Sequence, residues 1–233
     1  MFVSPCLYSI CLINNRSDLS ECTTRIINGD SLKDIARDNA DAFVKFHRGF
    51  LELQRTLHAG APRDPNVQPV VHWWFGPTGT GKSRSAFTEF PGAYVKMLNK
   101  WWDGYLGHTT VIMDDYRPSM CPFNQLLQIL DRYPMKVEMK GSSMELSATT
   151  FIITCCQRPE VIWHGKTEED VTQLIRRITN IKEFHRNGTT TILKDSAISY
   201  VQLTPQELSV HPYVIRDVTV TPTSAFLTSY NRI

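Results

Sequence analysis

Short apolar runs alternate with amphipathic stretches in the larger, second part of the chain. The apolar runs predict buried strands at 70–75, 110–113 and 151–155. Amphipathic spacing predicts helices at 83–87, 123–133 and 168–178. Thr167 with Asp170 is typical of a capping box at the start of the last helix. Strands that alternate with helices in this way predict an α/β domain with a parallel sheet flanked by helices.

Helical signals also precede this domain. Ser31 followed by Asp34 is typical of a capping box and predicts a short helix. Apolar residues within 40–57 recur at helical spacing, and Gly60 with Pro62 ends that pattern. The first sixty residues are therefore predicted to end in two helices.

Three other segments give less specific signals. The apolar run 1–13 follows no Lys or Arg and contains polar interruptions, so it is interpreted as a buried strand rather than a signal peptide. Residues 61–69 contain three prolines and are interpreted as a linker or domain boundary. Beyond residue 186 the chain is rich in Thr, Val, Ile and Ser, which predicts a few β segments or an extended tail.

Composition adds a limited set of exclusions. With 42% hydrophobic and 21% charged residues among 233, the chain is not collagenous, disordered or a disulfide scaffold. Its formal charge of +2 excludes a uniformly basic surface but leaves room for a local basic loop that contacts nucleic acid. Six cysteines without a CxxC pair favour a reducing compartment. No apolar segment approaches the roughly 18 to 20 residues that span a bilayer, so a soluble protein is expected.

The most specific motif follows the first predicted strand. It satisfies the pattern GxxxxGK[ST], in which glycines let backbone N–H groups surround a phosphate at a helix N-terminus. Lys82 is predicted to neutralise the β- and γ-phosphate oxygens, and the Ser83 hydroxyl to bind Mg²⁺. The alternative, a plain glycine-rich turn, is disfavoured by the strand before it. The motif residues are Gly76, Pro77, Thr78, Gly79, Thr80, Gly81, Lys82 and Ser83.

Two acidic residues end the second predicted strand. A nucleotide site needs a carboxylate on a neighbouring strand to hold the metal, and Asp114 is predicted to take that role. Asp115 leaves the strand in another direction and is suited to orient or deprotonate the attacking water. Taken alone, such a pair is more often a plain strand end; its distance from the phosphate loop favours the site.

Several collinear motifs make residues 27–184 resemble one known family. That family is the superfamily-three helicase domain of replication initiator (Rep) proteins from circular single-stranded DNA viruses of the circovirus type. Beyond the phosphate loop and the acidic pair, the resemblance depends on motifs at 100–105, 133–141 and 174–179. It implies a P-loop NTPase with an AAA+-like parallel sheet, preceded by a small helical oligomerisation segment. The domains expected are an unassigned segment, the oligomerisation segment, the helicase domain and a C-terminal extension, at 1–22, 23–60, 61–186 and 187–233.

The resemblance implies a homo-oligomer, a hexameric ring, that uses ATP and Mg²⁺ to move on single-stranded DNA. Residues 136–143 alternate polar and apolar side chains into a Gly-Ser turn, as a hairpin does, so Lys136 and Lys140 are candidate DNA contacts. Without the family, Lys140 is read as a solvated lysine. Arg176 and Arg177 lie where the family places its arginine finger; the alternative is that they only cover the surface of an amphipathic helix.

The chain departs from the family pattern in two places. Nothing before Gly76 offers the His-hydrophobic-His pair or the catalytic Tyr of the family's endonuclease, so nuclease activity is not expected. Cys156 stands where the family has a sensor Asn, and a thiol is a weak hydrogen-bond group, which puts turnover in doubt but not nucleotide binding. Gln157 could take over the role if the strand end is shifted by one residue.

The resulting interpretation is an ATP-dependent DNA helicase of viral rolling-circle replication. The alternative is a truncated or decayed Rep that binds ATP and DNA, oligomerises and modulates full-length Rep, but hydrolyses ATP poorly. A P-loop kinase is disfavoured by the hairpin before the third strand. Localisation in the host nucleus is expected from the resemblance alone; otherwise the expectation is a soluble intracellular protein with no membrane partner.

Overall fold

The fold was analysed on a computed structural model, which describes residues 17–164 and 170–210. The chain divides into two compact units, residues 1–60 and 61–233. The strand predicted within residues 1–13 lies outside the described residues. Among the described helices, none is long and apolar enough to cross a membrane.

The first unit contains three helices: α1 (Ser17–Ile27), α2 (Leu32–Asp38) and α3 (Ala40–His58). Their apolar faces meet in a small core that includes Cys22, Ile35 and Phe50. The predicted cap at Ser31 is confirmed, since its Oγ accepts a hydrogen bond from the Asp34 amide at 3.1 Å. Helix α1 was not predicted, and it crosses the expected boundary between residues 22 and 23.

The second unit is built on a six-stranded sheet in the order β2-β3-β6-β1-β7-β8. All neighbouring strands are parallel except β7 and β8, which are antiparallel. Strand β6 therefore lies between the strand that precedes the phosphate loop and the strand that ends in Asp114. The strands are β1 (Val70–Phe75), β2 (Tyr94–Val95), β3 (Thr110–Met113), β6 (Thr150–Cys155), β7 (Asn180–Phe184) and β8 (Thr190–Lys194).

Helices and a separate hairpin complete this unit. The hairpin pairs β4 (Lys136–Met139) with β5 (Ser142–Glu145) in antiparallel register. Its turn places Gly141 at φ +79°, a left-handed conformation that glycine adopts without a steric penalty. The helices are α4 (Lys82–Glu89), α5 (Phe123–Ile129), α6 (Pro159–Ile162), α7 (Val171–Arg177) and α8 (Pro205–Val210).

The mostly parallel sheet flanked by helices confirms the predicted α/β class. All three predicted strands are present, as β1, β3 and β6, and the predicted hairpin is present as well. Strands β2 and β7 were not predicted, and β8 continues the sheet beyond residue 186, where an extension was expected to begin. Asp170 is the N-cap of α7 rather than a residue of its first turn, because its carboxylate accepts from the Thr172 amide at 3.0 Å. Thr167 lies outside the described residues.

The segment predicted as a linker is partly docked on the second unit through Arg63. Arg63 is only 4% exposed. Its Nε donates to the Ala148 carbonyl at 2.9 Å, and its Nη1 donates to the Ile129 and Asp131 carbonyls at 2.8 and 2.6 Å. The Arg63 Cζ atom also lies 5.1 Å from the centroid of the Phe151 ring. Arg63 therefore connects its own segment to two others that are distant in sequence, residues 129–131 and Ala148.

A second polar cluster attaches the chain after β8 to the end of β6. The buried Glu160 carboxylate accepts from the Tyr200 hydroxyl at 2.7 and 2.6 Å. Arg158 donates from Nε to the same hydroxyl at 3.0 Å and from Nη2 to the Val201 carbonyl at 3.0 Å. Burial and the neighbouring Glu160 raise the pKa of Tyr200. Residues near 200 thus lie against the strand end that carries Cys156.

Candidate nucleotide-binding site

The phosphate loop connects β1 to α4, as its motif predicts. Gly76 has φ +143°, and a Cβ there would lie 2.2 Å from the Phe184 carbonyl oxygen at the end of β7. Only glycine allows the loop to leave the sheet so close to a neighbouring strand. Gly81 is the N-cap of α4 at φ +90°, so the first amides of that helix have no preceding turn to bond to.

Lys82 is folded back onto the loop itself. Its Nζ donates to the carbonyls of Gly76 and Pro77, both at 2.8 Å. Desolvation lowers the pKa of this lysine, while the thiols and carboxylates around it act in the opposite direction. Phosphate oxygens are stronger partners for an ammonium group than carbonyls, since bonds between charged groups are roughly twice as strong as neutral ones.

The loop forms one wall of a cavity of about 610 Å³. Ligand cavities of roughly 300 to 1,000 Å³ are typical for molecules of nucleotide size. Residues from two other segments, 115–117 and 154–156, complete the lining, so the sheet brings together groups that are far apart in sequence. The cavity is lined by Thr78, Gly79, Thr80, Gly81, Lys82, Ser83, Arg84, Asp115, Arg117, Thr154 and Cys156.

Thr154 joins the two acidic residues to strand β6. Its Oγ1 donates to Asp114 Oδ1 at 2.6 Å and accepts from the Asp115 amide at 2.9 Å. The side chain is 1% exposed, so the hydroxyl has little access to water as a substitute partner. Asp115 has φ +51°, the one positive value among the described non-glycine residues. Such a conformation costs of order 1–3 kcal/mol and is concentrated at functional sites.

Arg117 also lines the cavity, although sequence reasoning did not select it. Its Nη2 lies 2.9 Å from Asp115 Oδ1. The two side chains are 45% and 63% exposed, so the pair is a solvated one that a ligand can rearrange. Arg117 adds a third cation to a cavity that Lys82 and Arg84 also line. Its only sequence signal was a position two residues after the acidic pair.

Cys156 and its neighbour Cys155 have opposite environments. Burial raises the pKa of Cys155 well above its usual range. A hydrogen bond with Cys155 and, more weakly, the charge of Arg117 lower the pKa of Cys156 to about 6, against the effect of burial. Cys156 lines the 610 Å³ cavity, whereas Gln157 lines a neighbouring cavity of about 190 Å³. Cys156 therefore lines the cavity that also contains Lys82 and Ser83, whereas Gln157 lines only the neighbouring cavity with Gly76 and Pro77.

The remaining candidates lie away from this cavity lining. Lys136 and Lys140 are 66% and 72% exposed on the hairpin, each within 4 Å of a carboxylate: Lys136 Nζ lies 3.6 Å from Glu145 Oε1 and Lys140 Nζ lies 3.8 Å from Asp103 Oδ2. The two arginines of α7 differ from each other. Arg177 is 14% exposed and bonds Asp131 Oδ2 at 2.5 Å, whereas Arg176 is exposed.

Comparison with known proteins matches this domain to a helicase family. Residues 72–157 match the RNA helicase family model. The chain is 42% identical over 164 residues to the replication-associated protein of goose circovirus, which covers 70% of this chain and 54% of that protein. It is 39% identical over 165 residues to the replication-associated protein of pigeon circovirus, and the match covers 70% of this chain and 50% of that protein. The replication-associated protein of porcine circovirus 2 is 35% identical over 194 residues, and that match covers 82% of this chain and 60% of that protein.

These similarities confirm the predicted resemblance to circovirus replication-associated proteins. The sheet and its helices are consistent with a P-loop NTPase-like helicase domain of superfamily three. The chain spans about half the length of the curated relatives it matches.

Proposed function

We propose, taking as the premise a helicase-type domain similar to that of circovirus replication-associated proteins, that this chain is an ATP-dependent DNA helicase. It acts as a ring that moves on single-stranded DNA during viral rolling-circle replication. The observation that carries this proposal is one cavity lined by the phosphate loop, Asp115, Arg117 and Thr154. Asp114 is not part of that lining but accepts a hydrogen bond from the Thr154 hydroxyl.

The phosphate loop binds the triphosphate of ATP. Amides at the start of α4 donate to phosphate oxygens, and the helix dipole favours negative charge there. Lys82 exchanges its two carbonyl partners for the β- and γ-phosphates, because its Nζ is already placed at the loop. Since the loop carbonyls hold the ammonium in place before ATP binds, little rotamer entropy is lost on binding.

Ser83 and Asp114 would hold Mg²⁺. Hydroxyl and carboxylate oxygens are the donors that this ion prefers, usually one or two of them with water and phosphate completing the shell. Thr154 Oγ1 donates to Asp114 Oδ1 at 2.6 Å and so fixes the orientation of this carboxylate. When bound, the ion neutralises charge on the β- and γ-phosphates.

Asp115 orients the attacking water and accepts its proton. The two acids have different partners, since Asp114 Oδ1 accepts from the Thr154 hydroxyl and Asp115 Oδ1 pairs with Arg117. The Arg117 guanidinium, whose Nη2 lies 2.9 Å from Asp115 Oδ1, orients the Asp115 carboxylate within the cavity. When phosphate enters, Arg117 can transfer part of its charge to the γ-phosphate oxygens.

Lys140 and Lys136 contact the DNA backbone from the hairpin. Both ammonium groups are exposed, and the Lys140 amide is fixed by a 2.9 Å bond to Asp103 Oδ1. A hairpin with its register fixed at both ends presents the Lys140 charge at a constant position. In a ring, six such hairpins line a channel along which phosphates bind in sequence.

Arg176 is the arginine that reaches a neighbouring subunit. Arg177 is already paired with Asp131 and is only 14% exposed, so using it would leave a partly buried carboxylate without its partner. Arg176 is exposed on the same helix and carries no such cost. The three-helix unit of residues 1–60 supplies the contacts that hold subunits together.

A second function is favoured by Cys156. A thiol holds water and γ-phosphate less well than the amide that the family places there. The chain then binds ATP and DNA and oligomerises but turns over slowly, acting with a full-length replication protein. Replacing the thiol by an amide, Cys156→Asn, raises kcat without changing ATP affinity if this weak donor limits hydrolysis. Gln157→Ala is the matched test of the next residue.

The deciding experiment measures ATP hydrolysis with and without single-stranded DNA. DNA-stimulated turnover that disappears in Lys82→Ala and Asp114→Asn supports the helicase. Intact nucleotide binding without turnover supports the second function. Absence of nucleotide binding in the unaltered chain refutes both.

A further inference from the structure

The adjacent cysteines at the end of β6 are oriented in different ways. Cys155 is fully buried, with its Sγ 2.9 Å from the Gln157 carbonyl oxygen and accepting from the Gln157 amide at 3.2 Å. Cys156 is partly exposed. The local turn at 155–157 therefore uses one sulfur for structure and leaves the other facing open space.

That open space is the nucleotide cavity and the cavity beside it. Of the described residues, Cys156 alone lines both the 610 Å³ and the 190 Å³ cavity. A small molecule can therefore reach the sulfur from either side of the phosphate loop. Any group attached to the sulfur occupies space next to the loop.

The charges around Cys156 favour its thiolate form. Cys155 and the Arg117 guanidinium lower its pKa to about 6, whereas burial and Asp115 act in the opposite direction. Lys82 lies within electrostatic reach of both sulfurs. The other described thiols differ: burial raises the pKa values of Cys22, Cys121 and Cys155. Since the thiolate is the reactive form, Cys156 is expected to be the most reactive of the described cysteines.

We propose that Cys156 is a modification site for low-molecular-weight disulfides, and that the attached group excludes nucleotide from the cavity. The Cys156 thiolate attacks one sulfur of the disulfide, forming a new S–S bond as the old one breaks. The leaving thiolate takes up a proton from water, and a second thiol reverses the exchange. The access of the disulfide to Cys156 is inferred from the two cavities that this residue lines, whereas the exclusion of nucleotide rests on the proposed function.

The test treats the whole chain with oxidised glutathione and maps the adduct over all six cysteines by mass spectrometry. We expect the adduct at Cys156 and none at Cys121, with a rate that changes little between about pH 7 and pH 9 because the thiolate is already formed. Binding of a fluorescent ADP analogue should weaken about 10-fold or more, a change of about 1.4 kcal/mol. Dithiothreitol should restore it.

Two variants make the result decisive. Cys121→Ser should remain sensitive to the reagent, and Cys156→Ser should take up no adduct at that position and keep its own starting affinity. An adduct chiefly at another cysteine, or one at Cys156 that leaves binding unchanged, overturns the proposal. If the untreated chain binds no nucleotide, the proposed function fails, and the position of the adduct still decides whether Cys156 is the reactive thiol.

Discussion

Thr154→Val is expected to remove the hydrogen bond between strand β6 and Asp114, the carboxylate that we propose binds Mg²⁺, while preserving the shape of the core. Valine replaces the hydroxyl by a methyl group of similar volume. Two hydrogen bonds are lost, the one to Asp114 Oδ1 at 2.6 Å and the one from the Asp115 amide at 2.9 Å. Thr154 is 1% exposed, so water cannot easily replace the hydroxyl.

The size of the effect follows from these two bonds. A bond to a charged group contributes about 1.5–3 kcal/mol and a neutral one about 0.5–1.5 kcal/mol, and the added methyl group recovers part of the loss. A net destabilisation of about 1–3 kcal/mol is expected. Loss of the group that orients a metal ligand typically costs about 10-fold to 100-fold in metal affinity or activity. The Mg²⁺ concentration for half-maximal activity should therefore rise by about that factor.

The assay combines urea denaturation with a Mg²⁺ titration of nucleotide binding and hydrolysis. Thr154→Ser is the matched control, because it keeps the hydroxyl and loses only a methyl group. It should stay close to the unaltered chain in its Mg²⁺ dependence. An unchanged Mg²⁺ midpoint in Thr154→Val, measured on folded protein, would refute the role given to this hydroxyl.

Three further predictions concern other parts of the domain. Gly76→Ala places a Cβ 2.2 Å from a carbonyl of β7 and should destabilise the fold by about 3 kcal/mol in urea denaturation; a loss below about 1 kcal/mol would contradict the required close approach. Arg177→Ala should lower stability by about 1–3 kcal/mol while Arg176→Ala does not, and only an Arg176 mutant should recover hydrolysis when mixed with a Lys82 mutant. Lys140→Ala should reduce the salt dependence of single-stranded DNA binding by about 0.7 log units per log salt, and an unchanged slope would mean that this lysine is only solvated.

The sequence predicted those strands whose burial is visible in their own residues. β1, β3 and β6 are continuous apolar runs, because parallel strands are covered on both faces. β7 contains Asn, Lys and Glu, and β2 has only two residues, so neither carries such a run. Helix α1 is polar over much of its length and is stabilised by packing against α3, a contact that its local pattern does not contain.

The candidate site divides in the same way. The phosphate loop was predicted completely, since its chemistry is encoded in consecutive residues. Thr154 was missed because its role depends on a hydrogen bond across two strands to a residue 40 positions away. The pairing of Arg177 with Asp131 was not predicted, because Asp131 lies 46 positions away and sequence alone does not indicate that the two meet. Pairings of this kind are set by the strand order, which no short motif determines.

The position of Arg63 bears on where the second unit can be cut for study in isolation. A shortened chain that starts at Val70, the first residue of the sheet, would lose the guanidinium that donates to three carbonyls. Those of Ala148, Ile129 and Asp131 would then face a cavity lined in part by Phe151. A shortened chain that begins after Gly60 keeps Arg63 and its three hydrogen bonds. The second unit therefore begins several residues before its first strand.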